Sequence, residues 1–423
     1  MKPKTLTTLR SSRRNFLKSS AAATAAPFIL PSHIWAAKTK PNDRLVMGFV
    51  GMGKQNGGLL RNFMGQGIQA VAVCDVDTNR RNNAQKTVNN HHKNSDCRAV
   101  VDFREITEDK GIDAVCIATP DHWHSVITIS ALANGKDVYC EKPLTHNIHE
   151  SVEVIKAVKQ HKRVLQTGSM QRSSSEFRIA CELVRNGRLG KLKTIDVGTW
   201  EVSRRCWLPA QPVPEHVDWQ MWLGPAPYRP FHAEIHRSRG WMPFMDYSGG
   251  GVTDFGAHFF DLVQWAMGTE ETGPVEITPL NPAETEGRFV SYKYANGVTV
   301  YRTTGNFMRF TGSEGTLELD ICGWASIKNA RPHTLVREPI GPNEIHLRKS
   351  NDHYANFLES ARSRQLPAAD VEKGCRAVTI CHIGNIAEWL GRSLEWNPQK
   401  EEFVNDAEAN RWLDRPKRAP WNI

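Results

Sequence analysis

Two short runs of side chains carry the reactive chemistry of this sequence: Glu141-Lys142-Pro143, and Asp254 with His258 four residues further on. The first follows the apolar run Lys136-Asp137-Val138-Tyr139-Cys140. An ammonium at the carboxyl end of a parallel strand sits where open α/β sheets place their ligands. It can donate hydrogen bonds to an oxygen that gains negative charge. An isolated Lys-Pro reads as a surface turn, so its company decides. The second run follows Gly249-Gly250-Gly251-Val252-Thr253. A helix after the glycines puts Asp254 and His258 on one face, with Asp261 on the next turn. A His beside a carboxylate is a base tunable near neutral pH. A structural His on a packed helix competes with that reading. No metal is expected, because no second imidazole stands at ligand spacing.

The elements that must position these groups begin at Leu45-Val46-Met47-Gly48-Phe49-Val50, which leads into Gly51-Met52-Gly53-Lys54-Gln55-Asn56-Gly57-Gly58 and a helical stretch. Strand, glycine turn and helix N-terminus together suit a pyrophosphate. The third glycine position holds Asn56. A second strand, Ala70 to Cys74, ends in Asp75, roughly twenty residues on, where a carboxylate binds a ribose 2′-hydroxyl. That acid favours NAD over NADP, and nearby Arg80 moderates the preference. Ala114 to Ala118 is a third apolar run; it ends in Thr119-Pro120-Asp121-His122-Trp123-His124, before a helical segment from Ser125 to Asn134. Val164 to Gly168 is another strand, followed by Ser169-Met170-Gln171-Arg172. Strands alternating with helices imply an α/β, doubly wound parallel sheet.

Beyond residue 168 the period changes. Leu192–Val197 reads as a strand, and Arg288–Tyr294, Asn296-Gly297 and Val298–Thr303 read as a hairpin with a primed turn. Strands without helices between them indicate an α+β half with an open, mainly antiparallel sheet. Helical patterns return over His353–Arg362 and Gly374–Arg392, and Arg415–Ile423 reads as an extended arm. Trp200, Trp207, Trp219, Trp222 and Trp241 crowd one Pro- and Gly-rich stretch. Indole faces suit sugar rings, although each could equally pack a loop. Trp241, beside the glycine segment, and Arg172 are the candidate substrate contacts.

At 423 residues the chain exceeds one comfortable core. Three segments are expected: a signal peptide at 1–36, a nucleotide-binding domain at 43–168, and a substrate domain at 169–423 with a helical C-terminal return. Removing residues 1–36, with six Lys/Arg and no acid, takes the formal charge from +9 to +3. That balance gives no support to a nucleic-acid surface. Ser12-Arg13-Arg14-Asn15-Phe16-Leu17-Lys18 has the twin-arginine form, and the mild apolar stretch after it is too short for a membrane span. The export machinery is an expected partner, and the periplasm or cell exterior the destination. Of nine cysteines, Cys74, Cys116 and Cys140 fall inside buried strands, with no framework spacing for disulfides or zinc.

In these motifs and their order the chain resembles the Gfo/Idh/MocA oxidoreductases (glucose–fructose oxidoreductase, inositol dehydrogenase and relatives) from about Asp43 to the C-terminus. The resemblance implies a Rossmann domain plus an open sheet whose face holds substrate, and it makes oligomerisation through that sheet an expectation. It places the family's catalytic lysine on Lys142, its histidine on His258 and its partner aspartate on Asp254. Cofactor contacts fall on Gly51, Gly53, Asp75, Thr119, Asp121, His124, Glu141 and Gln171. It implies hydride transfer from a carbon bearing a sugar hydroxyl to a nicotinamide. His258 takes the hydroxyl proton, or a relay runs through Lys142; both suit the sequence.

An exported chain has no cytoplasmic cofactor pool, so NAD is expected to be loaded before export and held tightly. Each cycle must then restore its redox state. An NAD(P)-dependent carbohydrate oxidoreductase that reduces a second carbonyl compound satisfies this. So does a redox-neutral glycoside hydrolase working by oxidation, elimination, addition and reduction. A non-catalytic sugar sensor on the same fold is the alternative of another class.

Overall fold

Short, largely apolar runs build the first sheet. β1 (Val46–Val50), β2 (Gln69–Cys74), β3 (Arg98–Val100), β4 (Ala114–Ile117), β5 (Asp137–Cys140) and β6 (Leu165–Thr167) lie in the order β3-β2-β1-β4-β5-β6, all parallel. This computed structural model describes residues 44–320 and 326–422, and the expected signal peptide lies outside them. β4 and β5 are buried along their whole length, as parallel strands covered on both faces must be. Four helices connect or flank these strands: α1 (Lys54–Gly65), α2 (Thr78–His92), α3 (Asp121–Ala133) and α4 (Ile148–His161). Leu59, Leu60 and Phe63 of α1 pack with Phe49 and Tyr139 on one face. Ile127, Ala131 and Leu132 of α3 pack with Val115 and Val138 on the other. The strand order reverses between β1 and β4, which opens a crevice at their carboxyl ends.

The second sheet is mixed and mainly antiparallel. β7 (Leu192–Thr199), β8 (Glu276–Pro279), β9 (Arg288–Lys293), β10 (Thr299–Thr304), β11 (Phe307–Gly312), β12 (Thr316–Asp320), β13 (Ser326–Arg331), β14 (Leu394–Asn397) and β15 (Glu402–Phe403) run in the order β13-β12-β11-β7-β10-β9-β8-β14-β15. β7 and β10 pair in parallel and every other pair is antiparallel. Here the strands alternate, as one-sided packing requires: Val290 and Tyr292, Met308 and Phe310, Leu317 and Leu319 point inwards. They meet α5 (Ser175–Arg185), α6 (Gly256–Met267) and α8 (Val371–Leu390) through Phe177, Phe259, Phe260, Ile380 and Ile383. Truncating a buried aromatic such as Phe260 in a core of this kind costs about 3–5 kcal/mol.

The C-terminal helices return to the first sheet. α7 (His353–Ser363) puts Phe357 against Tyr139, and α8 adds Val371 and Cys375 to the other face. Main-chain and side-chain bonds fix this return: Thr167 N–H donates to Ala369 O at 2.9 Å, and Gln166 Nε2 to His353 O at 2.8 Å. The arm after Asp414 is extended and seats Trp421 on Trp123, ring centroids 4.8 Å apart.

Candidate active site

The crevice between β1 and β4 opens into a cleft of about 470 Å³. Gly51 turns the chain out of β1 with φ +82°, and a Cβ there would lie 2.7 Å from Thr119 N. Only glycine fits both the left-handed backbone and the close approach. At Gly53 nothing lies within 4 Å of a built Cβ, which leaves the helix N-terminus open to the cleft. Asn56, standing where a third glycine is usual, faces inwards. Its Nδ2 donates to Val50 O at 3.0 Å and its Oδ1 accepts from Cys116 Sγ at 3.4 Å. The departure therefore ties α1 to β1 and does not obstruct the turn.

Asp75, at the end of β2, is buried and lines the cleft. Its Oδ2 accepts from Met52 N at 2.6 Å and its Oδ1 from Asp77 N at 2.8 Å. Burial raises its pKa, and these N–H donors together with Arg80 only partly reverse that. The carboxylate thus braces the glycine turn and keeps lone pairs for a ribose hydroxyl.

Glu141 and Lys142 leave β5 into the same cleft. Glu141 Oε1 accepts from Gln55 Nε2 at 3.0 Å, and a Cβ on Gly168 would meet its carboxylate at 2.8 Å. Lys142 Nζ donates to Asp254 Oδ1 at 2.5 Å and to Asp254 O at 3.0 Å. Burial alone would lower the lysine pKa; Asp254 and Glu141 outweigh it, and the ammonium is held charged.

The expected continuous helix through Asp254 and His258 is interrupted. A one-turn helix, Gly251–Asp254, stops at Phe255, and α6 starts at Gly256. The break directs Asp254 to Lys142 and turns the Phe255 ring towards the ammonium, 5.9 Å away. Among the described residues Asp254 makes no hydrogen bond to His258; Asp254 Oδ2 and His258 Nδ1 are both shielded and unpartnered. The four-residue spacing puts two residues on one face only if the helix between them is unbroken. Burial first, then Lys142 and His353, hold His258 well below the usual imidazole range, so the ring is neutral.

The other expected contacts separate into two groups. Thr119, Asp121, His124 and Trp241 line the cleft, whereas Gln171, Arg172 and His258 are not among its lining residues. Thr119 Oγ1 and Asp121 Oδ2 are buried without partners. Burial pushes the Asp121 carboxyl well up, Asp254 adds to the rise, and the Ser248 hydroxyl and Lys142 oppose it. His124 Nδ1 lies 2.8 Å from Pro143 O and its Nε2 lies 2.9 Å from Thr119 O, so the ring clamps two segments of the cleft wall. Arg172 is corrected from substrate contact to internal brace. Its guanidinium meets Asp261 at 2.8–2.9 Å and Glu270 at 2.7 Å, fully buried. Gln55, Met221, Trp222, Arg237, Ser238, Arg239 and Met242 also stand in the cleft wall, beyond the contacts expected from the sequence. Of these only Gln55, inside the glycine turn, carries a local signal.

A glycine turn open to the cleft, a braced carboxylate at β2 and unpartnered polar atoms on Thr119 and Asp121 suit a dinucleotide; the donor set matches its hydroxyls and amide. Comparison with known proteins agrees. Residues 45–169 match the oxidoreductase-family NAD-binding Rossmann fold, residues 190–423 match that family's C-terminal alpha/beta domain, and residues 10–29 match the twin-arginine translocation pathway signal sequence. The chain belongs to the Gfo/Idh/MocA oxidoreductase family. It carries an export signal, and no helix among the described residues is long and apolar enough to cross a membrane.

The oxidoreductase YrbE of Bacillus subtilis is 23% identical over 69% of this chain and 79% of its own length. The scyllo-inositol 2-dehydrogenase (NAD(+)) of the same organism is 29% identical over 40% of this chain and 39% of its own. The WlbA dehydrogenase of Bordetella pertussis, solved with NADH and UDP-GlcNAcA, shares the fold at TM-score 0.60 and 16% identity. That match covers 84% of this chain and 99% of the other.

Proposed function

We propose that this chain is an exported dehydrogenase acting on a secondary hydroxyl of a sugar or sugar derivative, with NAD held through turnover. Nucleotide binding is assigned to residues 43–168 and substrate binding to 169–423. The observation that carries the reading is the Lys142–Asp254 ion pair, 2.5 Å long, at one wall of the cleft that the glycine turn and Asp75 line. The inositol and sugar-nucleotide chemistry in the names of relatives supports a polyol or sugar substrate.

Gly51, Gly53, Asp75, Thr119, Asp121 and Glu141 would hold the dinucleotide, and a bound nicotinamide supplies the hydride acceptor. The charges of the remaining groups divide the other roles. Lys142, held protonated, donates to the substrate oxygen as it becomes an alkoxide. His258, held neutral, can take the hydroxyl proton. Asp254 aims the ammonium and, through Lys142, keeps the charge that the alkoxide needs. Lys142 is a weak candidate for the proton acceptor because its neighbours keep its own proton on.

The decisive experiment is to denature the purified folded chain and identify any released nucleotide by mass. Single sugars, each alone and with a second carbonyl compound as hydride acceptor, and glycosides are then added to the native chain without cofactor. Release of NAD and sugar turnover are expected. Cleavage of a glycoside with no net oxidation assigns the redox-neutral route. A chain that carries no nucleotide and binds none sinks the proposal.

A further inference from the structure

The cleft has a second wall that the sequence motifs do not describe. A segment following β7 crosses the carboxyl ends of β2 and β4. Near β2, Thr78 N donates to His216 O at 2.9 Å, Asp218 N to Val76 O at 3.1 Å, and Arg80 Nη2 to His236 O at 2.9 Å. Near α3, Trp123 Nε1 donates to Trp222 O at 3.0 Å. The C-terminal arm locks it from outside: Arg418 donates to Gly224 O at 2.9 Å and to Gln220 O at 2.7 Å. From His236, beside Asp77, the segment continues through Arg237–Met242 along the cleft towards the Asp254 side, bridging to Arg204 at Phe244.

Three arginines stand in this region, and two have their charge engaged. Arg80 faces Asp77 and the His236 carbonyl, and Arg237 donates to Glu234 at 2.5 Å. Arg239 lines the cleft and has no carboxylate partner among the described residues. Its backbone sits at φ +63°, in the left-handed region where glycine or asparagine is the ordinary occupant. The strain has a local frame: Gly240 N donates to Arg237 O at 2.9 Å, and a Cβ on Gly240 would lie 1.7 Å from Glu234 O. Arg239 is exposed at the cleft, its guanidinium free to turn to a ligand there, and left-handed backbone on a non-glycine residue is a pattern found at ligand clamps. At the end of β2 the buried Asp75 lines the cleft and disfavours a further phosphate there. The glycine turn has no acid in the first turn of its helix and places Lys54 at the cleft.

We propose that Arg239 is a phosphate anchor: reaching in from the second half of the chain, it binds the pyrophosphate of the dinucleotide held on the glycine turn. The inference rests on the nucleotide reading above and deepens it. A guanidinium forks onto phosphate oxygens, and here release would require a loop pinned by both α3 and the C-terminal arm to move.

The test uses the full exported chain, stripped of nucleotide, with Arg239→Ala and Arg239→Gly. Arg239→Gly removes the guanidinium and relieves the strained φ, so its thermal midpoint should hold or rise while phosphate binding falls. Titration with NADH, NADPH, ADP-ribose and adenosine should show about tenfold weaker binding of the three pyrophosphate ligands and unchanged adenosine affinity. The fraction of NAD surviving gel filtration should also drop. Unchanged ADP-ribose affinity in both variants overturns the proposal while leaving nucleotide binding intact. A loss confined to NADPH moves the anchor to a 2′-phosphate and overturns the pyrophosphate assignment. If the unaltered chain binds neither NADH nor ADP-ribose, the nucleotide reading itself falls.

Discussion

Lys142 Nζ is bonded to two atoms of one residue, Asp254 Oδ1 at 2.5 Å and Asp254 O at 3.0 Å. A side-chain bond alone would let the ammonium swing with the carboxylate; the carbonyl bond fixes where it points. Both bonds depend on the helix break at Phe255, which frees the end of the one-turn helix to face β5.

Replacing Lys142 by Met keeps much of the volume and removes the charge proposed to meet the developing alkoxide. Turnover is expected to fall by about 10²–10⁴, with nucleotide retained on purification as in the unaltered chain. Steady-state rates and the mass of released nucleotide check the two halves separately. Unchanged turnover removes Lys142 from the chemistry.

If His258 takes the hydroxyl proton as proposed, it sets the acid limb of the rate. Its folded pKa lies below the ordinary 6.5, so the neutral ring, competent to accept a proton, persists below pH 6.5 and is lost only as pH falls through that lower value. The profile of kcat/KM against pH should therefore stay flat through 6.5 and drop further into acid. In His258→Gln the residual activity should lose that limb. A limb at or above the usual imidazole value contradicts the assignment.

Much of this architecture is legible in the residues because its signals are local. Four unbroken apolar runs, each ending in Gly, Asp, Thr or Glu, are enough to place β1, β2, β4 and β5 and the crevice at their ends. Alternation around Asn296-Gly297 likewise marks the β9–β10 hairpin, but its turn is not the expected primed one: Gly297 N donates to Tyr294 O and Gly297, not Asn296, takes the positive φ. Long-range choices are not legible. Arg172 finds Asp261 and Glu270 across 89 and 98 residues, and nothing beside it in the chain distinguishes an internal brace from a substrate arm. The Asp254–His258 spacing implies a shared face only for an unbroken helix, and the helix is interrupted at Phe255, whose ring lies against Trp200 and 5.9 Å from the Lys142 ammonium. The loop bearing Arg239 enters the cleft through tertiary bonds to Val76 and Trp123, and no period in the sequence marks it.

The reassignment of Arg172 makes its own forecast. Arg172→Ala leaves Asp261 buried without its cation, while Glu270 keeps Arg185, and breaking a buried pair from one side costs about 3–5 kcal/mol. Denaturant unfolding should show that loss, while KM for the sugar stays near its original value in the protein that remains folded. A raised KM with unchanged stability restores Arg172 as a substrate contact.

His382, inside α8, gives a stability test independent of the site. Its Nε2 lies 3.1 Å from Thr145 O, and burial, then Arg415, lower its pKa from 6.5 to about 3. The unfolded chain takes up this proton near pH 6.5 and the folded chain does not. The stabilisation is therefore complete above 6.5 and is lost as pH falls towards the folded value. Between pH 7 and pH 5 this one ring accounts for about 2 kcal/mol. Other buried groups add slopes of both signs, so the comparison is made against His382→Gln, which can keep a donor to Thr145 O but does not titrate. The stability difference between the two proteins should shrink by that amount from pH 7 to pH 5, as read from paired urea titrations. A constant difference would mean that His382 titrates in the folded chain as it does in the unfolded one, and that burial does not hold the ring neutral.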